Sequence, residues 1–254
     1  MRHNVSIPHP EVKPIKLLLE LGACKLTLAK GASSDFVSGY YNDPTDERPF
    51  VVDVSGGVVR IWQKQLFVVS GRQYNHPEFV LEISDVQPFD LELKSGASEV
   101  FADLGGLPVE KTTVRFNAGK MTLDFSKPNP VDMKFIDFSA NAGDVTLTNL
   151  ANSNADKVSV EGSAAGFRLN FAGNLRKDLL ADVSSSVSGV KIELPKGCNA
   201  KIKANAMLGG ISGVDGSWMR STGDGWTSAE GRADLPGLSI NARVTLGGLE
   251  FKTV

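Results

Sequence analysis

Three histidines, two cysteines and a scatter of carboxylates are the groups in this chain that could do chemistry. His3 and His9 lie in a proline-rich lead-in and His76 in the segment GRQYNHPEF. Nucleophilic hydrolysis would need one imidazole aimed at a serine and oriented by an acid, and nothing in the spacing brings such a trio together. Cys24 and Cys198 match no zinc-ligand spacing with each other or with a histidine, so no metal and no cofactor is expected. Carboxylates are a different matter, because some β-solenoids cleave polysaccharides with paired acids about 5–10 Å apart on one face. The outward strand positions Glu99, Asp124, Asp137, Asp144 and Glu193 are the candidates, set against the alternative of a solvated face that keeps the protein soluble. They do not recur in one column of the repeat described below. The glycines belong to no phosphate-binding pattern, lacking both G-x-x-x-x-G-K-[ST] and a strand–GxGxxG–helix setting. The segment SWMRSTGDGWTSAEGR places Trp218 and Trp226 around a Gly-Asp-Gly turn and reads as a hairpin. Those two indoles are the candidate binding residues, able to anchor a sugar or a partner; the preferred alternative packs them as a flap over the last coils. Trp62, in the run IWQ, reads as structural.

The elements that would carry these groups repeat. Segments LGACKLTL, SGGVVRI, GASEVFA, NAGKMTL, NAGDVTL, SAAGFRL, SVSGVKI, MLGGISG and TLGGLEF align on one slot. It is held by Cys24, Gly57, Ser98, Gly119, Gly143, Ala165, Ser188, Gly209 and Gly247, all small. Two positions later stand Leu26, Val59, Val100, Met121, Val145, Phe167, Val190, Ile211 and Leu249, all apolar. Five positions earlier stand Leu19, Val52, Leu93, Val114, Phe138, Val160, Val183, Ala204 and Ala242, again apolar. Between Ser98 and Gly209 the slots recur about every 22 residues, a period typical of stacked repeats. The wider gaps at Cys24–Gly57, Gly57–Ser98 and Gly209–Gly247 imply inserted loops.

Inside each unit the apolar alternation has period 2, a strand signal. In IDFSANAGDVTL the inward set is Ile136, Phe138, Ala140 and Ala142, and then Val145 and Leu147, so the parity switches across Gly143. Both sets can face inward only if the backbone turns a corner at the slot, where a side chain would be crowded. Each repeat therefore reads as strand, corner, strand and loop. Successive repeats predict an all-β, single-stranded parallel β-solenoid of about nine coils, roughly 43 Å long at the strand spacing. A β-sandwich is the rival and gives no reason for one small-residue corner per repeat. The expected organisation is one domain, 1–254, with an irregular part at 1–88 and a regular part at 89–254. Helix is nearly absent; only FAGNLRKDLLADV suggests a helical turn.

The runs LELGACKLTL and FDLELKSGASEVFADLGGLPVEK, the NPV turn, and the G-x-h-x-h units ending in SGVKIELPKG together resemble the bacterial toast-rack β-solenoid family. Its members are often labelled as adhesins or cell-wall-active antibiotic response proteins. The resemblance runs from about Lys16 to Lys252. It implies the solenoid fold, no catalytic residue set, and a non-catalytic role at the cell envelope in interaction or stress sensing. The implied partners are an envelope protein or a cell-wall polysaccharide. A carbohydrate-active solenoid enzyme is the alternative.

With 27 basic and 29 acidic residues, the net charge of −2 argues against nucleic-acid binding. No window approaches 18 uncharged apolar residues, and the start, MRHNVSIPHPEVKP, lacks a signal-peptide core. An extracytoplasmic location is expected if an anchor precedes this sequence, a cytoplasmic one otherwise. If coils stack in chain order, the C-terminal coil around Leu249, Phe251 and Val254 forms a bare end suited to a weak homodimer, unless a further segment or the Trp218–Trp226 hairpin covers it. Stacking in order also puts Cys24 and Cys198 about 29 Å apart, far beyond disulfide reach. Mass measurement after thiol alkylation is expected to count two free cysteines per chain.

Overall fold

The computed structural model describes residues 1–43, 49–63, 76–214, 218–232 and 234–254. Strands account for nearly all the regular structure. They are β1 (Arg2–Ile7), β2 (Ile15–Leu21), β3 (Lys25–Lys30), β4 (Val37–Asn42), β5 (Phe50–Ser55), β6 (Val58–Gln63) and β7 (Glu78–Ile83). Four long bent strands follow: β8 (Phe89–Asp103), β9 (Val109–Asp124), β10 (Met133–Thr148) and β11 (Ala155–Asn170). The rest are β12 (Leu179–Val187), β13 (Val190–Leu194), β14 (Asn199–Leu208), β15 (Ile211–Ser212), β16 (Met219–Thr222), β17 (Gly225–Ser228), β18 (Gly237–Leu246) and β19 (Leu249–Thr253). The one helical turn among the described residues is a 3-10 turn at Leu150–Ser153; FAGNLRKDLLADV forms a loop leading into β12. No described helix is long and apolar enough to cross a membrane.

The strands stack in parallel as coils of a β-solenoid. β8 pairs with β9, β9 with β10, and β10 with β11 along their whole lengths, with Ser98 opposite Gly119 and Gly143 opposite Ala165. The small-residue column thus lies in register, as the repeat predicts. Parity switches at the corner as well: in β8, Phe89, Leu91, Leu93 and Ser95 are buried before it, and Val100 and Ala102 after it. The two arms and the return loop enclose a continuous apolar core that includes Leu19, Val114, Phe138, Val160, Val145 and Phe167. Buried asparagines tie the return loops together. Asn129 donates Nδ2–H to the Val109 carbonyl at 2.8 Å and Asn152 to that of Phe125 at 2.9 Å, satisfying backbone that the loops would otherwise leave unpaired.

Stacking order departs from chain order at both ends. The coil of β2 and β3 lies between β8 and the coil formed by β6 and β7. The coil of β18 and β19 lies between that of β12 and β13 and that of β14 and β15. The expected bare C-terminal edge therefore does not exist: Leu249 and Phe251 are 1% and 2% exposed, covered on both sides. The physical reason is that a coil's own pattern carries no mark of its neighbour, so an insertion costs nothing in pattern. Gly57 also leaves the column. It turns the antiparallel β5–β6 hairpin, with φ of 82°, and Val52 on β5 is 38% exposed. The run SGGVV satisfied the corner pattern because a tight turn needs small residues too.

The cysteine expectation survives the reordering. Cys24 and Cys198 are both free, and the coils of β8, β9, β10 and β11 separate Cys24 from the coil that precedes Cys198, roughly 24 Å at the strand spacing. Burial pushes the Cys24 thiol up to about 11, opposed by its hydrogen bond with Ser98, so Cys24 is a packing residue.

The corner is tested by substitution. Gly143 has φ of 109°, and a Cβ there would overlap the carbonyl oxygen of Gly119 in the neighbouring coil. Gly143→Val is expected to destabilise the fold by roughly 2–4 kcal/mol, and the same change at outward-facing Thr146 by about 0.5 kcal/mol or less. Urea titration of both variants reads the difference; equal shifts would remove the corner argument.

Candidate functional site

A depression of about 660 Å³ crosses the first arms of five stacked strands, β6, β2, β8, β9 and β10. Its wall is one register column: Trp62, Glu20, Lys94, Arg115 and Ser139 lie opposite one another in turn. Strand alternation turns these five outward while Ile61, Leu19, Leu93, Val114 and Phe138 point into the core. Two positions on, the column reads Gly22, Gly96, Asn117 and Asn141. The paired glycines leave a trough where side chains would otherwise stand. Asn117 and Asn141 bound it on one side, joined by a 3.0 Å hydrogen bond from Asn141 Nδ2 to Asn117 Oδ1. Trp62 and Gln63 bound it on the other. Gln63 is fixed by accepting the Gly22 N–H at 2.8 Å.

Charges in and around the trough are partnered, with four cations sharing three carboxylates. Arg60 Nε donates to Glu20 at 2.6 Å and stacks its guanidinium over the Trp62 ring, 4.4 Å from the centroid. Lys94 bridges Glu20 and Glu92, each at 3.0 Å, and Lys16 pairs with Glu92 from the far side. Arg115 pairs with Asp137 at 2.5 Å and also reaches the Asp137 carbonyl. Burial by itself would raise the Glu20 carboxyl, but hydrogen bonds from Lys94 and Arg60 outweigh it and hold the group below the ordinary glutamate range. Lys16 is the main cause of the same shift at Glu92, with Lys94 adding to it against burial. Lys94 is raised in turn by Glu20 and Glu92. Each cation is therefore spoken for by a carboxylate, and the surface is polar and nearly neutral.

The carboxylates singled out from the sequence do not converge. Glu99 pairs with Lys25 at 3.6 Å on the second arms. Asp144 lies in the same column as Glu99, with Lys120 between them. Asp124 accepts hydrogen bonds from Thr148 and Asn149, both at 2.7 Å, at the end of an arm. Glu193, 9% exposed, accepts from Asn170 at 2.9 Å on a strand three ladder steps from β9. Only Asp137 touches the trough, through Arg115. Histidines are equally dispersed: His3 stacks near Tyr41, His9 packs against Phe36, and His76 is exposed. No group of three or more His, Cys, Asp or Glu able to hold a metal occurs among the described residues.

Trp218 and Trp226 lie elsewhere, at the other end of the rod. β16 and β17 form the hairpin, and β17 runs antiparallel on the outer edge of β14 with Trp226 opposite Ile202. Both indoles are half-buried against the core. Trp218 lines a separate cleft of about 500 Å³ with Pro195, Cys198, Ser228 and Glu230. The trough itself was missed in the sequence, although its column was present there. Glu20, Lys94 and Arg115 occupy equivalent outward positions, and lining them up requires counting across the long gaps. Trp62, expected to be structural, presents a half-exposed ring to the trough.

The ion network fixes a pH window. Carboxyls lowered by their partners contribute stability that is present above their unfolded values and lost as pH falls through the folded ones. Raised Lys94 contributes below its unfolded value and loses that contribution as pH rises through its folded one. Exposed pairs are worth roughly 0–1 kcal/mol each. Thermal midpoints are therefore expected to be flat near neutrality and to fall below about pH 4.3, with a smaller acid-side fall in a Glu20→Gln, Glu92→Gln double variant, measured by calorimetry between pH 7 and roughly pH 3.

Comparisons with known proteins add the family. Across its full length the chain is similar in fold to a candidate cell adhesion protein from Clostridium sporogenes, with a TM-score of 0.51 and 14% identity over 99% of that chain. It also aligns over its full length, at a TM-score of 0.45 and 9% identity, with 96% of a candidate adhesin from Bacteroides fragilis. No curated protein matches. The profile described as the N-terminal domain of toast_rack matches residues 2–135, more than half of the chain and all of the trough's lining except Ser139 and Asn141, and so the protein belongs to the toast-rack family.

Proposed function

We propose that this protein is a non-catalytic binding module of the cell envelope and that the trough around Trp62 is where it holds a cell-wall polysaccharide. Family membership and the adhesin-type neighbours are consistent with a non-catalytic, envelope-associated role. The observation that carries the finer reading is the make-up of the trough: a half-exposed indole beside paired amides and charges already neutralised by partners. A flat apolar ring suits the face of a sugar, and fixed amides and paired ions suit its hydroxyls. A polyanion such as a teichoic acid would need unpaired cations, and here Arg60, Lys94 and Arg115 each have a carboxylate. Hydrolysis is disfavoured by the same pairing. A general acid for glycoside cleavage needs a raised carboxyl, and Glu20 is lowered.

The test uses the full chain and insoluble wall glycan stripped of anionic polymer, with soluble neutral fragments for titration. Wild type is expected to co-sediment. Trp62→Ala and Asn117→Ala, Asn141→Ala variants should bind roughly 5- to 30-fold more weakly, since a lost stacking or amide contact is worth on the order of 1–2 kcal/mol. Val54→Lys, on exposed β5, should bind as wild type. Equal binding by all variants would overturn the assignment to the trough, and release of reducing ends by wild type would overturn the non-catalytic reading.

A further inference from the structure

The two ends of the rod are finished differently. At one end β7 is covered by antiparallel β4 and β4 by antiparallel β1, while β5 lies antiparallel along β6. At the other, the outermost coil is β14 with β15, and β17 reaches it only at Lys201 and Ile202. The Lys203–Asp224 ion pair, at 2.6 Å, marks where the hairpin tip ends. Beyond it, no described strand lies on the outer side of residues 204–212, so alternate backbone N–H and C=O groups there face away from β18.

Sequence leaves that edge unguarded. Residues 204–213 read ANAMLGGISG, without one charge or proline, the usual devices that keep an edge from pairing. The position before the corner is Ala97, Ala118, Ala142 and Ala164 in the middle coils, then Val187, Leu246 and Leu208 in the last three. These last three are 50%, 47% and 63% exposed, and Met207 beside them is 71% exposed. A short aliphatic ridge therefore begins where the stack nears its open edge and runs straight to it.

We propose that residues 204–212 form a homodimer contact, in which the edges of two copies pair antiparallel about a two-fold axis centred near Leu208. An isologous contact requires a patch that is its own complement. An uncharged strand edge is one: each copy offers the same alternating donors and acceptors, and no like charges meet. A two-fold at Leu208 also sets Met207 and Leu208 of both copies side by side, so that the two ridges become one and leave water together. The contact continues the sheet from one rod into the next. Its area is small, and the dimer is accordingly weak, with a Kd in roughly the micromolar range or above.

Sedimentation velocity over a wide range of protein concentration tests this, together with hydrogen exchange of the wild type at the two extremes. Wild type is expected to pass from monomer to dimer, and the amides of 204–212 to gain protection as it does. Met207→Lys, Leu208→Lys, both at exposed sites, should keep the thermal midpoint and weaken dimerisation at least tenfold; Val54→Lys, at the opposite end, should leave it unchanged. A wild type that stays monomeric overturns the proposal, even if that edge captures some other strand. So does a dimer whose 204–212 amides gain no protection, or one undiminished in the folded lysine variant.

Discussion

The close approach of backbone to backbone at the corner is the constraint on which the rest of this protein depends. Where Gly143 passes over the Gly119 carbonyl, and Gly247 over that of Ser188, no room remains for a Cβ in the conformation the chain adopts. Ser98 and Ser188 do not share the positive φ of those glycines, and their hydroxyls donate across the gap to the Gly22 and Ala165 carbonyls. With the corner held this tightly, both arms of each coil fall into ladder register with the next coil. Inward positions then stack into a core, and outward positions stack into columns. The trough and the aliphatic ridge are both such columns, read on different coils.

Much of this was legible in the sequence, for a physical reason. Period-2 alternation with a parity switch is a direct record of which side of a strand faces the core, and Ile136, Phe138 and Ala140 followed by Val145 and Leu147 are buried as that record requires; Ala142, expected inward with them, is only half-buried, because the chain already turns at the corner there. What was not legible is which coil neighbours which. Every coil presents similar inward residues to its neighbours, so the hydrophobic pattern is indifferent to permutation. Gly57 shows a second limit: a hairpin turn and a solenoid corner both demand small residues flanked by Val, and only the pairing of β5 with β6 tells them apart.

The trough illustrates what a column can and cannot say. Glu20, Lys94 and Arg115 are unremarkable one at a time, each an exposed charge on a strand. Their significance arises because β2, β8 and β9 are neighbours, because Trp62 comes from a coil inserted outside them, and because Gly22 and Gly96 leave space between the walls. Glu99, Asp124, Asp137, Asp144 and Glu193 all lie on the regular repeats, where outward columns are long and the side chains disperse along them.

Chain order and stacking order agree only for the five coils from β8 to β13, and this bears on synthesis. A ribosome releases residues 15–30 before either of their neighbours exists, so that first coil waits with both ladders unformed. At the other end residues 199–212 emerge while β12 and β13 still present a free edge of matching pattern. The final coil, 237–253, belongs between them. Either the gap is held open until the last residues arrive, or a provisional ladder between β12 and β14 is broken to admit them. The central coils can close as they are made; the first coil must wait for β6, β7 and β8, and the last end for residues 237–253.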